Sequence, residues 1–434
     1  MVDKNKIISA LNILIEWALY ILIFSLPFSK TAIEVCAIIA ISSWILKRVF
    51  MGKSGLRLPQ TGLNRPMLAF YLIGFLSIFW STHIDISISA FIRKLTEYIF
   101  LYFIVFEAVS ERRVVRNIIR AIALSAFIVC VDVIYQKITG FDFIRRYTMY
   151  GLDRISVDGK WQKFTGFGSI EGEILYNKWR VTGPFKFPNG LSIWISVVLF
   201  PFMGIALFFK KNLKLKAISA ILAILLIYCL LLTYTRAAQI SCIAGLILML
   251  LLIGGKTSRI TLTLLLVGIV ILTLLIFMDP AGFQQKLAGD GSIQHRIRIW
   301  TAGTRMFAEK PLTGQGLNTF MANYERFKVP KKSERGLWYA HNCYLQIAAE
   351  TGIFGLLSFL WLIIKMAIES IKSLRLIRDD FLRYAFLGLF CGISVFLLHS
   401  SFDVSLYSLQ LAVLFYFSLG LLMGIKSIGL NQNG

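Results

Sequence analysis

His341 opens the run His341-Asn342-Cys343-Tyr344-Leu345-Gln346, which continues through Glu350-Thr351-Gly352 to Gly355, and it is one of four histidines in the chain. A polar, arginine-bearing segment from about Asp279 to Ala340 precedes it, and an apolar run through Leu356, Leu357, Phe359, Leu360, Trp361, Leu362 and Ile364 follows. An imidazole at such a loop-to-helix junction either bonds the local backbone or acts as a general base, because its ordinary pKa of about 6.5 suits accepting a proton from a hydroxyl. Arginines offer the complementary chemistry. Arg236, in Leu232-Thr233-Tyr234-Thr235-Arg236-Ala237, interrupts two adjacent apolar runs. It either snorkels to the interface or grips an anionic group with its planar fork. Arg296 and Arg298, in His295-Arg296-Ile297-Arg298-Ile299-Trp300, could do the same or simply bind lipid phosphates. Arg180 precedes a turn, Val181-Thr182-Gly183-Pro184, where an arginine is often structural.

Competing chemistries leave no trace in the sequence. There is no phosphate-cradling G-x-x-x-x-G-K-[ST], no G-x-S-x-G elbow and no H-E-x-x-H. Cys36, Cys130, Cys229, Cys242 and Cys391 lie in apolar runs, and Cys343 stands alone, so neither a disulfide framework nor zinc spacing emerges. Asp379-Asp380 sits among Arg378 and Arg383 and reads as a solvated charge cluster. The expectation is therefore a site with no metal and no cofactor, whose driving force comes with the substrate. An activated lipid-linked diphosphate meets that condition.

The elements that must position these residues are membrane helices. The chain has 434 residues, of which 57% are hydrophobic and only 16% charged, with a mean hydropathy of +0.71. A soluble domain cannot hide that much apolar surface. Roughly twelve apolar runs are long enough to span a bilayer. They lie near 9–28, 31–49, 66–82, 91–110, 114–138, 189–209, 214–234, 236–254, 259–278, 343–366, 381–402 and 404–425. The first follows Lys4 and Lys6 but lacks an A-x-A-like cleavage site, so it reads as a retained helix. An all-α integral membrane protein is predicted, as one polytopic domain over 1–434.

Alternate connections are strongly basic, which fixes the orientation because positive loops stay cytoplasmic. One side receives Lys47, Arg48 and Lys53, then Arg112, Arg113 and Arg116, then Lys210, Lys211 and Lys214, then Arg375 and Arg378, and finally Lys426. Both termini are then cytoplasmic. The other side receives tight turns and two long elaborations, at about 140–188 and 279–342. The formal net charge of +23 is largely accounted for by these signals and by attraction to anionic membrane lipids. No nucleic-acid module is visible. All four histidines, His83, His295, His341 and His399, map to the extracytoplasmic side. Within the second elaboration, Ile293, Ile297, Trp300, Thr304 and Phe307 recur at helical spacing, predicting an amphipathic helix that packs on the membrane or the bundle. Pro311-Leu312-Thr313-Gly314-Gln315-Gly316 then ends that helix and turns the chain back towards His341.

His341-Asn342, nine residues, and Gly352-Ile353-Phe354-Gly355 together fit the pattern H-[NSQ]-x9-G-x-x-[GTY] and resemble bacterial O-antigen ligases and related oligosaccharide transferases. Thr235-Arg236-Ala237, Arg296-x3-Trp300, the Pro311–Gly316 segment, Arg180-Val181-Thr182-Gly183 with Pro188-Asn189, and His399-Ser400-Ser401-Phe402-Asp403 add to the likeness, which runs from about 180 to 403. The resemblance implies a GT-C-like helical fold in the bacterial inner membrane, a periplasmic active site, an undecaprenyl-diphosphate-linked glycan as donor and lipid A-core oligosaccharide as acceptor. Carried onto this chain, it makes His341 the base and gives the donor diphosphate to Arg236 and Arg296, with Arg298 as the alternative to Arg296 and Arg180 as a further candidate. It implies ligation in lipopolysaccharide biosynthesis by inverting, metal-independent transfer. An O-antigen polymerase, a protein O-oligosaccharyltransferase and, from another class, a lipid-linked sugar transporter stay open. Charge concentrated in two loops on one face favours an enzyme over a transporter.

Overall fold

The computed structural model describes residues 4–149, 154–157, 160–163, 180–255, 263, 291–329 and 339–431. Two helices, α1 (Lys4–Ser25) and α2 (Lys30–Met51), form an antiparallel hairpin. Ser29 starts the second by accepting from the Ala32 amide at 3.2 Å, a side-chain cap that satisfies an otherwise orphaned donor. Helix α3 (Asn64–Leu76) leads to a rod in which α4 (Ile84–Ala90), a π-helical stretch (Phe91–Thr96) and α5 (Glu97–Ala108) run on continuously. Helix α6 (Arg112–Thr139) stops at Gly140, whose φ of 88° ends the helical run. The first elaboration carries a short antiparallel ladder of β1 (Arg154–Val157) and β2 (Lys160–Lys163). Helices α7 (Pro188–Phe208), α8 (Leu213–Leu232) and α9 (Arg236–Ile253) follow. Beyond them come α10 (Gly291–Glu309), α11 (Phe320–Phe327), α12 (Cys343–Leu374), α13 (Asp380–His399) and α14 (Leu409–Asn431).

Among the described residues nine helices are long and apolar enough to cross a membrane: α1, α2, α6, α7, α8, α9, α12, α13 and α14. This is a multi-pass membrane protein. Two of the twelve expected spans are built differently. The run at 66–82 yields α3, only 13 residues long, and the run at 91–110 forms the lower part of the α4–α5 rod. The run at 259–278 lies outside the described residues, apart from residue 263.

Lipid gives no hydrophobic reward for helix association, so close approach must come from small residues. Gly388 and Gly392 of α13 meet α7: a Cβ on either would lie 2.3 Å and 2.6 Å from the carbonyl oxygens of Phe200 and Val197. Polar contacts between helices then sort into two faces. On the basic face the Glu107 carboxylate receives Trp44 Nε1 at 2.9 Å and Lys47 Nζ at 2.6 Å, and also Arg48. Arg113 pairs with Glu16 at 3.0 Å and Lys211 with Asp380 at 3.1 Å there. At the opposite end Gln410 Nε2 donates to the Leu26 carbonyl at 2.9 Å and Arg145 Nη2 to that of Phe28 at 2.6 Å. Residues 4 and 431 both end at the basic face, as the loop alternation requires.

Helices α10 and α11 build a small core of their own on the opposite face, from Ile299, Ala302, Met306, Phe320, Tyr324 and Phe327 with Ala340 and Ala349. The face of α10 that packs on the protein is therefore a different one from the apolar stripe expected to lie on the membrane or the bundle. Ile297 is 53% exposed and Thr304 is exposed too, whereas Ile299, Ala302 and Met306 are fully buried. The contact is made by small residues that admit a neighbour closely. A Cβ on Gly303 would stand 3.0 Å from the Leu345 side chain of α12.

Candidate functional site

Helix α12 begins at Cys343 because Asn342 caps it, its Oδ1 accepting from the amides of Tyr344 and Leu345 at 3.0 Å each. His341 is thereby released from capping. Its backbone is left-handed, with φ of 48°, a conformation that costs a residue with a Cβ on the order of 1 kcal/mol and survives only where the surroundings over-determine it. The surroundings are the α13–α14 turn: the Cys343 amide donates to the Ser400 carbonyl at 2.8 Å, Cys343 Sγ to that of Asp403 at 3.3 Å, and Tyr344 OH to that of Leu397 at 2.8 Å.

That lacing sets the imidazole against a carboxylate. His341 Nδ1 stands 3.5 Å from Asp403 Oδ1, with side chains 27% and 15% exposed. At that length the pair is an electrostatic contact, and Nδ1 has no fully formed hydrogen bond. Burial works to raise the Asp403 pKa, but the facing His341 ring and the charge interaction with His399 overcome it and hold the carboxyl at about 2. Asp403 is consequently ionised throughout any physiological range. On its far side His399, 1% exposed and with both ring nitrogens unpartnered among the described residues, lies within electrostatic reach of Arg296. Asp403 thus couples to both His341 and His399, and His399 in turn to Arg296.

Gly352 explains the second half of the sequence pattern. It breaks α12 with φ of 69° and ψ of −170°, so the amide of Ile353 cannot reach back along the helix and instead donates to the Pro311 carbonyl at 2.8 Å. The carbonyls released by the break, on Ala349 and Glu350, accept the amides of Gln315 and Gly316 at 2.9 Å each. The Pro311–Gly316 segment is in effect a strap bonded edge to edge onto the kink. Gly314 and Gly352 have no room for a side chain, since a Cβ would meet Glu350 and Leu312 backbone atoms at 2.3 Å and 2.2 Å. The nine residues between Asn342 and Gly352 are the length of the helical segment, about 13 Å, that carries His341 above the strap.

Glu350, fully buried, ties these parts together. It accepts from the amides of Asn318 at 2.8 Å and Phe320 at 3.2 Å, from Gln346 Nε2 at 3.0 Å and from Tyr407 OH at 2.8 Å. Burial, reinforced by the Glu350 carboxylate, pushes the Tyr407 phenol well up, which keeps it a donor. Lys94 of the π-helical stretch reaches the same corner, its Nζ donating to Asn318 Oδ1 at 3.2 Å.

The arginines distribute unequally. At about 100° per residue, Arg296 falls roughly 70° from the axis of the buried face of α10, formed by residues 299, 302, 303 and 306, while Arg298 falls about 90° from it on the other flank. Arg236 is the first residue of α9 and is exposed. Arg180 is held by the α8–α9 turn: Nε donates to the Thr233 carbonyl at 2.7 Å, and Nη2 to Thr235 Oγ1 at 2.7 Å and Asn189 Oδ1 at 3.0 Å. The structure therefore joins His341 and Arg296 through Asp403 and His399, and sets Arg180 beside the start of Arg236's helix. Asp403 and Glu350 escaped the sequence reading as site residues. The available signal was that each is an isolated carboxylate at the end of an apolar run, on the face opposite the basic loops. A cavity of about 610 Å³ lined by Glu107, Ser110, Arg112 and Asn431 lies on the basic face, away from this cluster.

Residues 221–360 match a family model described as O-antigen ligase. The matched stretch spans Arg236, Arg296, Arg298, His341, the strap and the Gly352 break, and leaves out Arg180, His399 and Asp403. Enzymes of that family transfer lipid-linked glycans. No curated protein matches the chain.

Proposed function

We propose, from the O-antigen ligase domain over residues 221–360, that this chain transfers glycan from undecaprenyl diphosphate to lipid A-core oligosaccharide at the periplasmic face of the bacterial inner membrane. The observation that carries the reading is the pairing of His341 with an ionised Asp403 at the start of α12, on the face opposite the basic loops. In this mechanism the acceptor hydroxyl oxygen attacks the anomeric carbon as its proton passes to His341, and the bond from that carbon to the diphosphate oxygen breaks. Asp403 steadies the imidazolium that forms. Arg236 and Arg296 take the charge that develops on the departing lipid diphosphate, the kind of preorganised stabilisation that supplies much of a transfer enzyme's power. A single displacement inverts the anomeric centre.

The reaction is tested by the lipopolysaccharide of a deletion strain. Loss of all core-attached glycan with retained lipid-linked polymer supports the ligase, whereas a core that still receives one repeat unit assigns polymerisation instead. Within the site, Arg296→Ala is expected to lower kcat/KM for the lipid donor by about 10² to 10³. Arg298→Ala, on the flank of α10, should stay within about fivefold of the parent. A larger loss at Arg298 in the same purified assay would exchange the two assignments.

A further inference from the structure

We propose that Arg180 is a positioning residue for Arg236 and does not itself bind the diphosphate. The proposal rests on the reading of Arg236 as a donor ligand. One edge of the Arg180 guanidinium, Nε and Nη2, spans the turn between α8 and α9 by holding the Thr233 carbonyl and the Thr235 hydroxyl, and the same Nη2 reaches Asn189 at the start of α7. The neighbouring Val181 amide donates to the Leu232 carbonyl at 3.4 Å, which extends the bridge to the end of α8. Three helix ends thus meet on one side chain.

What that side chain restrains is a strained peptide. Tyr234, between the two bonded threonines, has φ of 48°, and a left-handed residue other than glycine needs external bonds to persist. Thr235 shows the same priority. It occupies the capping position of α9, yet its side chain makes no cap; the oxygen that would cap the helix accepts from Arg180 instead. Arg236 is the next residue, so the direction in which its side chain leaves α9 follows from the turn that Arg180 fixes. The fork is required for this, since a lysine ammonium cannot bridge the carbonyl and the hydroxyl in one plane.

The test uses the full-length protein in lipid nanodiscs with a synthetic polyprenyl-diphosphate-linked glycan as donor. Arg180→Ala is expected to lower kcat/KM for the donor about tenfold in the parent but less than twofold in an Arg236→Ala background, because residues acting through one another are not additive. Equal losses in both backgrounds would show that Arg180 contacts the donor itself and would overturn the proposal. Arg180→Lys and Thr235→Val guard against a folding failure. Each keeps the bulk of its site, and each should speed hydrogen exchange at residues 233 to 237. Unchanged exchange in both overturns the positioning role while leaving the function reading intact. Parental donor use by Arg236→Ala would instead refute the diphosphate reading of Arg236.

Discussion

His341→Ala is expected to insert and fold like the parent yet to transfer glycan 10² to 10⁴ times more slowly, the span associated with loss of a general base. Folding should survive because the cap of α12 belongs to Asn342 and because alanine is no more strained than histidine at φ of 48°. His341→Gly sharpens the point. Glycine relieves a left-handed backbone by about 1 kcal/mol, so this variant should melt higher than His341→Ala, which loses the same Asp403 contact, while remaining as inactive. The Asp403 pKa, held near 2 against an ordinary 3.8, gives stability that is fully present above about pH 4 and is lost only as pH falls through 2. Asp403 therefore contributes no step to a rate profile measured between pH 5 and 9, and an acid limb there belongs to another group. Purified enzyme with separate measurements of transfer and donor binding decides the matter: near-parental transfer by His341→Ala would remove it as the base, and lost donor binding would move it to substrate recognition.

Gly352→Ala should be among the most damaging added methyl groups of the described residues, lowering stability by about 3 kcal/mol or more. Its φ of 69° with ψ of −170° is a conformation reserved for glycine. The added carbon would also stand 2.2 Å from the Leu312 carbonyl oxygen, and backbone bonded into the strap has nowhere to retreat. Gly52→Ala is the natural comparison, because φ there is 65° but nothing lies within 4 Å of the added carbon. That variant, whose backbone at ψ of −135° also favours glycine, should cost the conformational strain alone, about 1 to 2 kcal/mol. Thermal unfolding in detergent compares the two, and a Gly352→Ala midpoint equal to that of Gly52→Ala would refute the steric account of the break.

The membrane helices were legible because an apolar run of 17 to 25 residues has few other fates, and the basic loops told one face from the other. Which face of α10 packs on the protein was not legible, for a physical reason. Hydropathy assigns burial to the largest apolar residues, but this helix packs through Ala302 and Gly303 and leaves Ile297 outward. Candidate residues divide in the same way. His341 and Arg236 stand out locally, as a polar group where an apolar run begins. The partnership of His341 with Asp403, and the service of Glu350 to four donors, depend on segments far apart in the chain and leave no spacing to read. Arg180 was visible as an arginine beside a turn, but which turn it holds is decided by tertiary contact alone.

The break at Gly352 also redraws the boundary of what can be inherited as a unit. By hydropathy α12 is one helix that enters the membrane at Cys343. By bonding, its first turns are shared, Ala349 joining the core of α10 and α11 while Ile347 packs in the bundle, and the remainder belongs to the bundle alone. Any exchange of the second elaboration between related chains should cut after the glycine, so that histidine, strap and kink travel together and the rest of the helix stays with its own neighbours.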